Sequence, residues 1–292
     1  MGWHYDSINA GVTAVRALGA LHDFEVFWTE DANRVFKNEE LEKYKVVIFL
    51  CTSGAILTDE QQFAFQRYIN AGGGCVGIHS ASDTEYDWPW YTKMVGRMFH
   101  IHPAVQTATM KVEEPNCPGM DRFARRFLFT EEWYEFDAAR SDQIRYLLSV
   151  DEKTYKPHAK WGAKVGEGMG DFHPVAWYQE YDGGRAFYTA LGHLPATYSD
   201  FNFMHHVYGG IYWAATGNGF TAEMGRALRF SKFVRLGSRQ REAAHFSRAS
   251  SAGQSDWPHS VREYSTLGGI SGYTFRCTIP SFSSCLNCWV SI

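Results

Sequence analysis

The chain has little of what marks the specialised protein classes. Six cysteines in 292 residues are too few for a disulfide framework. Nine prolines and 27 glycines exclude a collagen-like or proline-rich chain. No apolar run approaches the roughly 20 residues that span a bilayer. The opening Met1-Gly2-Trp3-His4-Tyr5-Asp6 has neither the basic region nor the apolar core of a secretory signal. Asp6 also stands where a myristoylation motif needs Ser or Thr. There is no Gly-x-Ser-x-Gly elbow, no phosphate-binding glycine loop, no HExxH and no paired CxxC. A net charge of −4 gives no reason to expect nucleic acid or an anionic surface as partner. What remains is a globular protein, 45% hydrophobic and 21% charged, expected in the cytoplasm.

The mild net charge covers two unlike segments. Residues 226–292 hold nine Lys or Arg and three acids, a balance of +6, which leaves −10 for residues 1–225. Residues 231–292 also carry 13 serines without a sustained period of 2 or 3.6. The expected organisation is a domain over 1–217 and a basic, Ser-rich, poorly ordered tail over 218–292. Cys277 and Cys285-x-x-Cys288 lack the fourth ligand that a zinc knuckle needs.

Within the domain, helix and strand signals alternate. Ile8, Val12, Val15 and Leu18 have helical spacing behind Ser7. A short strand is expected at Glu25–Thr29. Lys45–Leu50 and Cys75–Ile78 are apolar runs of the kind covered on both faces of a sheet. Between them, Thr58-Asp59-Glu60-Gln61 reads as a capping box opening a helix that Gly72-Gly73-Gly74 ends. A parallel crossover follows. Further strands are expected at Thr107–Val112, Ile144–Val150 and on both sides of Asp182-Gly183-Gly184, with a closing helix at Phe201–Thr216.

His79 follows the buried strand ending at Ile78, and His193 follows Ala186–Leu191 and Gly192. Ligands in open parallel sheets bind outside the carboxyl ends of the strands, so both stand where chemistry is placed. Against this stands a purely structural role, and no histidine spacing here is by itself a metal motif. His100-x-His102 could put two rings on one side of a strand. Asp83, Glu85, Asp87, Glu131 and Glu132 are the acidic candidates, and Glu131-Glu132 is flanked by aromatics that can raise a carboxyl pKa on burial. Aromatics make up 16% of the chain, and their flat faces suit sugar stacking as well as core packing.

Five segments together resemble one family. They are Gly72–Asp83, Trp88-Pro89-Trp90-Tyr91, Glu131-Glu132-Trp133-Tyr134, His173-Pro174-Val175-Ala176-Trp177 and Gly183–His193. In this order they are similar to a ThuA-like (trehalose utilisation) domain of the class I glutamine amidotransferase-like superfamily. The resemblance implies a flavodoxin-like three-layer α/β sandwich with a mainly parallel sheet. At the elbow where amidotransferases carry a nucleophilic Cys this chain has His79, and Cys75 lies inside the strand, so a thioester route is not expected. The resemblance implies a sugar-processing protein acting on a glycoside or keto-sugar. His79 and His193 would be acid–base groups or ligands of a divalent metal, and Glu132 and Asp83 their carboxylate partners. Trp90, Trp133 and Tyr134 would flank a small carbohydrate, and homo-oligomers stay open. The alternative is a non-catalytic carbohydrate-binding or interaction module on the same fold.

Two departures from the family accompany this. The strand that would precede Gly2-Trp3-His4-Tyr5 is missing, which would leave its two neighbours in the sheet with unpaired backbone groups. The tail matches nothing in the family. Both would fit an imperfect gene model or an alternative transcript.

Overall fold

A computed structural model describes residues 4–219, and the backbone alone of 286–291. One mixed sheet organises the described residues. Its strands are β1 (Phe24–Thr29), β2 (Val46–Leu50), β3 (Gly74–Ile78), β4 (Gln106–Val112), β5 (Arg126–Glu131), β6 (Arg145–Asp151), β7 (His173–Tyr181), β8 (Gly184–Thr189) and β9 (Leu286–Ser291). The spatial order is β1-β9-β2-β3-β8-β7-β6-β4-β5. From β1 to β8 all neighbours are parallel. From β8 to β5 all are antiparallel.

Among the described residues, four helices of more than six residues cover the sheet: α1 (Ile8–His22), α2 (Asp59–Asn70), α3 (Pro89–Val95) and α4 (Phe201–Thr216). Adjacent residues of β2 separate the layers, because successive strand side chains point to opposite faces. Phe49 packs edge-on against Phe65 of α2 and Tyr91 of α3. Leu50 lies where a Cβ on Gly11 of α1 would be only 3.0 Å away. This is the flavodoxin-like three-layer sandwich. Every residue of β2 and β3 is buried, as their apolar runs require.

The helix signals are met in detail. Thr58 and Gln61 form the reciprocal capping box at the start of α2. Ser7 is the N-cap of α1 but makes no capping bond; its hydroxyl faces the Cys51 thiol. The β7–β8 turn carries positive φ at both Asp182 (50°) and Gly183 (90°), which matches the right-handed twist of a two-residue hairpin. The aromatic segment 88–99 begins with α3, whose Pro89 stands in the first turn.

Two strands depart from expectation. β5 was not anticipated, since Arg126–Glu131 does not alternate cleanly and Leu128 is 71% exposed. β9 comes from the tail segment and lies where the missing first strand was expected to leave a gap. It lies between β1 and β2, pairing Phe24 with Leu286 and Val46 with Cys288. The backbone groups of both neighbours are thus satisfied from the far end of the sequence. The remaining tail, 220–285, and the Cys277, Cys285 and Cys288 side chains lie outside the described residues.

Candidate functional site

Three chain segments meet at the carboxyl ends of β3 and β8. The first is the elbow after β3. His79 takes φ = 56°, in the left-handed region that ordinary residues avoid. This conformation turns the imidazole from the strand into the protein, where it is fully buried. Its Nδ1–H donates to the Ala190 carbonyl at 2.9 Å. A carbonyl can only accept, so Nε2 carries the lone pair. That lone pair receives the Tyr134 hydroxyl at 2.8 Å, and the Tyr5 hydroxyl lies 3.3 Å beyond.

The second segment, after β8, carries His193. Glu131 fixes it in place. One Glu131 oxygen accepts from the Gly192 N–H (3.1 Å) and the Thr197 hydroxyl (2.5 Å). The other accepts from the His193 N–H (3.2 Å) and the Glu132 N–H (3.3 Å). A buried carboxylate so fully bonded is a scaffold, not a free reagent.

The third segment leaves β5 through Glu131 and presents Glu132. Its Oε2 is buried and accepts no well-aligned hydrogen bond. It lies 3.2 Å from His193 Nδ1, 3.3 Å from His102 Nε2 and 3.6 Å from His79 Nε2. His102 is set like His79: its Nδ1–H donates to the Pro103 carbonyl at 2.7 Å, and its Nε2 lone pair faces the carboxylate. Burial drives the His79 pKa down to about 3 and lowers those of His102 and His193. Burial and the neighbouring Glu131 push Glu132 up to about 8. The site therefore holds neutral imidazoles around a carboxyl that either keeps its proton or meets a cation.

His79, His193 and Glu132 form a trio whose ligand atoms lie within 4.8 Å of one another. The His79–His193 distance is 3.3 Å. Separations of 3.2 to 3.6 Å match the edge of about 3.4 Å expected for ligands arranged tetrahedrally around an ion at zinc-type bond lengths. Two histidines and one glutamate leave a fourth position open, the pattern of catalytic sites. The carbonyl bond at His79 Nδ1 is the outer support that ligating histidines normally have. A cation there and the Tyr134 bond to His79 Nε2 are alternatives.

Residues 1–214 match the ThuA family, described as trehalose utilisation. The chain belongs to the ThuA family. A ThuA-like protein from Bacteroides uniformis is similar at 23% identity and a TM-score of 0.60, with 72% of this chain and 86% of that one covered. Another from Parabacteroides merdae has 18% identity and a TM-score of 0.61, covering 76% and 89%. At these identities the likeness shows the fold alone. A search of curated proteins found no match. No helix among the described residues is long and apolar enough to cross a membrane.

Not every residue singled out from the sequence of this ThuA-family chain reaches the trio. Tyr134 does, and its ring also stacks on His102. Asp83 stands at the rim, where its carboxylate accepts from the Tyr86 hydroxyl at 2.8 Å; no hydrogen bond or ion pair to the histidines is seen among the described residues. Trp133 points away: it is buried, and its indole N–H donates to the Gln106 carbonyl. Trp90 sits at the other end of the sheet, because its N–H donates to Asp182 in the turn that precedes β8. His100 and His102 diverge: His100 bonds the Val165 carbonyl, and His102 alone turns inward. His102 was named from sequence only as half of the His100-x-His102 pair, and Tyr5 was not named as a site residue. The signals were the His-x-His spacing for His102 and, for Tyr5, its place within the opening family segment.

The two domain cysteines that could suggest a thiol nucleophile are unsuited to it. Burial raises Cys51 to about 12 and holds Cys75 well above the usual thiol range.

Proposed function

We propose that the protein is a carbohydrate-processing enzyme acting on a glycoside or keto-sugar, with a divalent metal held by His79, His193 and Glu132. The observation that carries this reading is the Glu132 Oε2 atom, buried without an aligned donor and ringed by imidazole nitrogens. When bound, a zinc-type ion supplies Lewis acidity toward a sugar oxygen and a more acidic water. The chain's own groups supply the rest. His102 Nε2 is a lone pair beside the carboxylate and serves as the proton acceptor. With an ion on His79 Nε2, the Tyr134 hydroxyl would be released from that nitrogen and, with Tyr5 3.3 Å away, would be free to donate toward a bound sugar oxygen. Tyr134 and the wall of buried aromatics beside it limit water at the reacting centre. Without an ion, Glu132 in its protonated form is a general acid with a pKa suited to neutral solution.

Family membership supports the substrate class and leaves the reaction to the site. The buried, high-pKa thiols of Cys51 and Cys75, with His79 at the elbow, support hydrolytic or proton-transfer chemistry over amide transfer through a thioester. The free, buried thiols of Cys51, Cys75 and Cys117 fit a cytoplasmic setting.

The test combines cobalt titration of chelator-treated protein with turnover of trehalose and its 3-keto derivative. One ion per chain, lost in Glu132→Gln, together with metal-dependent turnover is expected. Sugar binding with neither metal uptake nor turnover would establish the non-catalytic module instead.

A further inference from the structure

A two-stranded hairpin, Ala159–Trp161 paired with Lys164–Gly166, stands over the rim of the site. It has no part in the chemistry described above. The hairpin is held from below: His100 Nε2–H donates to the Val165 carbonyl at 3.1 Å. Gly166 lies so close that a Cβ there would come within 2.4 Å of Ile101 and 2.6 Å of the Glu135 carboxylate. The Gly168 N–H, just past the hairpin, donates to that same carboxylate at 2.7 Å.

The hairpin carries Trp161, whose side chain is 46% exposed. An indole left in water on so firmly seated a hairpin is not explained by core packing. Its ring meets His102 edge to face, with centroids 4.6 Å apart and planes at 88°. Phe99 lies beside it, with centroids 6.0 Å apart and planes at 50°. Since His102 Nε2 is 3.3 Å from Glu132, the indole is one side chain away from the candidate metal trio. Lys164 of the same hairpin projects its ammonium over Phe99 at 5.5 Å. Burial raises the Asp83 carboxyl overall, with the Tyr86 bond and the nearby Lys164 charge opposing that rise. The rim thus combines an exposed flat aromatic face with a carboxylate, an ammonium and the Tyr86 hydroxyl.

We infer that Trp161 is the stacking platform for one pyranose ring of the substrate, with Asp83 and Lys164 receiving the ring's hydroxyls. A pyranose offers an apolar C–H face for the indole and a rim of hydroxyls for the charged pair. A planar aromatic ligand would use the indole but leave Asp83 and Lys164 without partners, and an inorganic anion would use Lys164 and leave the indole idle. The assignment rests on the proposed carbohydrate function and places the recognition role given from sequence to Trp90 on a different tryptophan.

The experiment is calorimetric titration of the full chain with trehalose, alongside cobalt titration of the same proteins. Wild type is expected to bind trehalose. Trp161→Ala should weaken that binding about tenfold or more, and Trp161→Phe should keep most of it. Both variants should take up cobalt as wild type does, which separates loss of the platform from loss of the fold. Equal trehalose affinity in wild type and Trp161→Ala would overturn the inference, as would wild-type protein that binds no trehalose. Trehalose binding that depends on Trp161 in protein that takes up no cobalt would uphold the platform and remove the metal reading.

Discussion

Two fully buried histidines sit in different parts of this molecule, and each has its pKa lowered to about 3 by burial. His79 lies at the carboxyl end of β3, with Nδ1 bonded to a carbonyl and Nε2 facing a hydroxyl, an imidazole and a carboxylate. His206 lies in α4 under the sheet, between Phe187 and Phe123, and neither of its nitrogens has a hydrogen-bond partner. Burial and acidity alone would rank the two equally. What separates them is convergence: around His79 several independent segments aim lone pairs at one point, whereas His206 meets only rings. Perturbed titration becomes a functional signal when geometry supplies something to act on.

That contrast can be broken in several ways, and the largest effect belongs to the elbow. His79→Asn tolerates the positive φ and removes the imidazole. Turnover of the keto-sugar should fall by about 10²–10⁴-fold while cooperative unfolding persists. Unchanged turnover would return His79 to the same structural standing as His206.

Next comes the scaffold beneath the site. In Glu131→Gln an amide must face N–H donors that now find carboxylate oxygens. A loss of about 1–3 kcal/mol in denaturant unfolding is expected, with turnover reduced because His193 is no longer held. A variant as stable as wild type would show that the Gly192–His193 loop is positioned by other contacts.

The third prediction concerns acid. His206 has a folded-state pKa below its unfolded value, so the unfolded chain takes up the proton first. Its stabilising contribution is complete above about pH 6.5 and is lost as pH falls toward about 3. His206→Leu should therefore flatten the decline of stability across that range by up to one proton's worth of slope. An unaltered acid slope by thermal unfolding would mean that His206 is not the group responsible. The smallest effect is expected from Trp90→Ala. With its indole bonded to Asp182 at the opposite sheet end, substrate affinity and turnover should stay within about twofold of wild type. A large loss of affinity would contradict that placement.

The legible parts of the fold were those fixed by local chemistry. β2 and β3 announce themselves as apolar runs, α2 by its capping box, and α4 by an apolar stretch behind Asp200, whose carboxylate caps Phe203. β5 was hidden because a sheet edge needs little apolar pattern. β9 was hidden because Leu286–Ser291 gains its meaning only from neighbours more than 230 positions away. The site divides in the same manner. His79 and His193 could be found because each follows a strand that ends in sequence. His102 was visible only as half of a His-x-His pair, since the tertiary fold alone turns it, and not His100, toward Glu132. Trp90 and Trp133 show the converse: a tryptophan beside polar residues in sequence was bound to other partners in space.

The position of β9 also governs when this protein can become itself. Phe24 and Val46 are made early in synthesis, yet the strand that lies between their segments spans residues 286–291. A nascent chain must hold two half-paired strand edges open until residues 286–291 have been translated. Such non-local pairing is slow to form and exposes unpaired edges to other chains in the interval. A stop codon a few residues before 286 would take out the strand that joins β1 to β2 and so to the rest of the sheet.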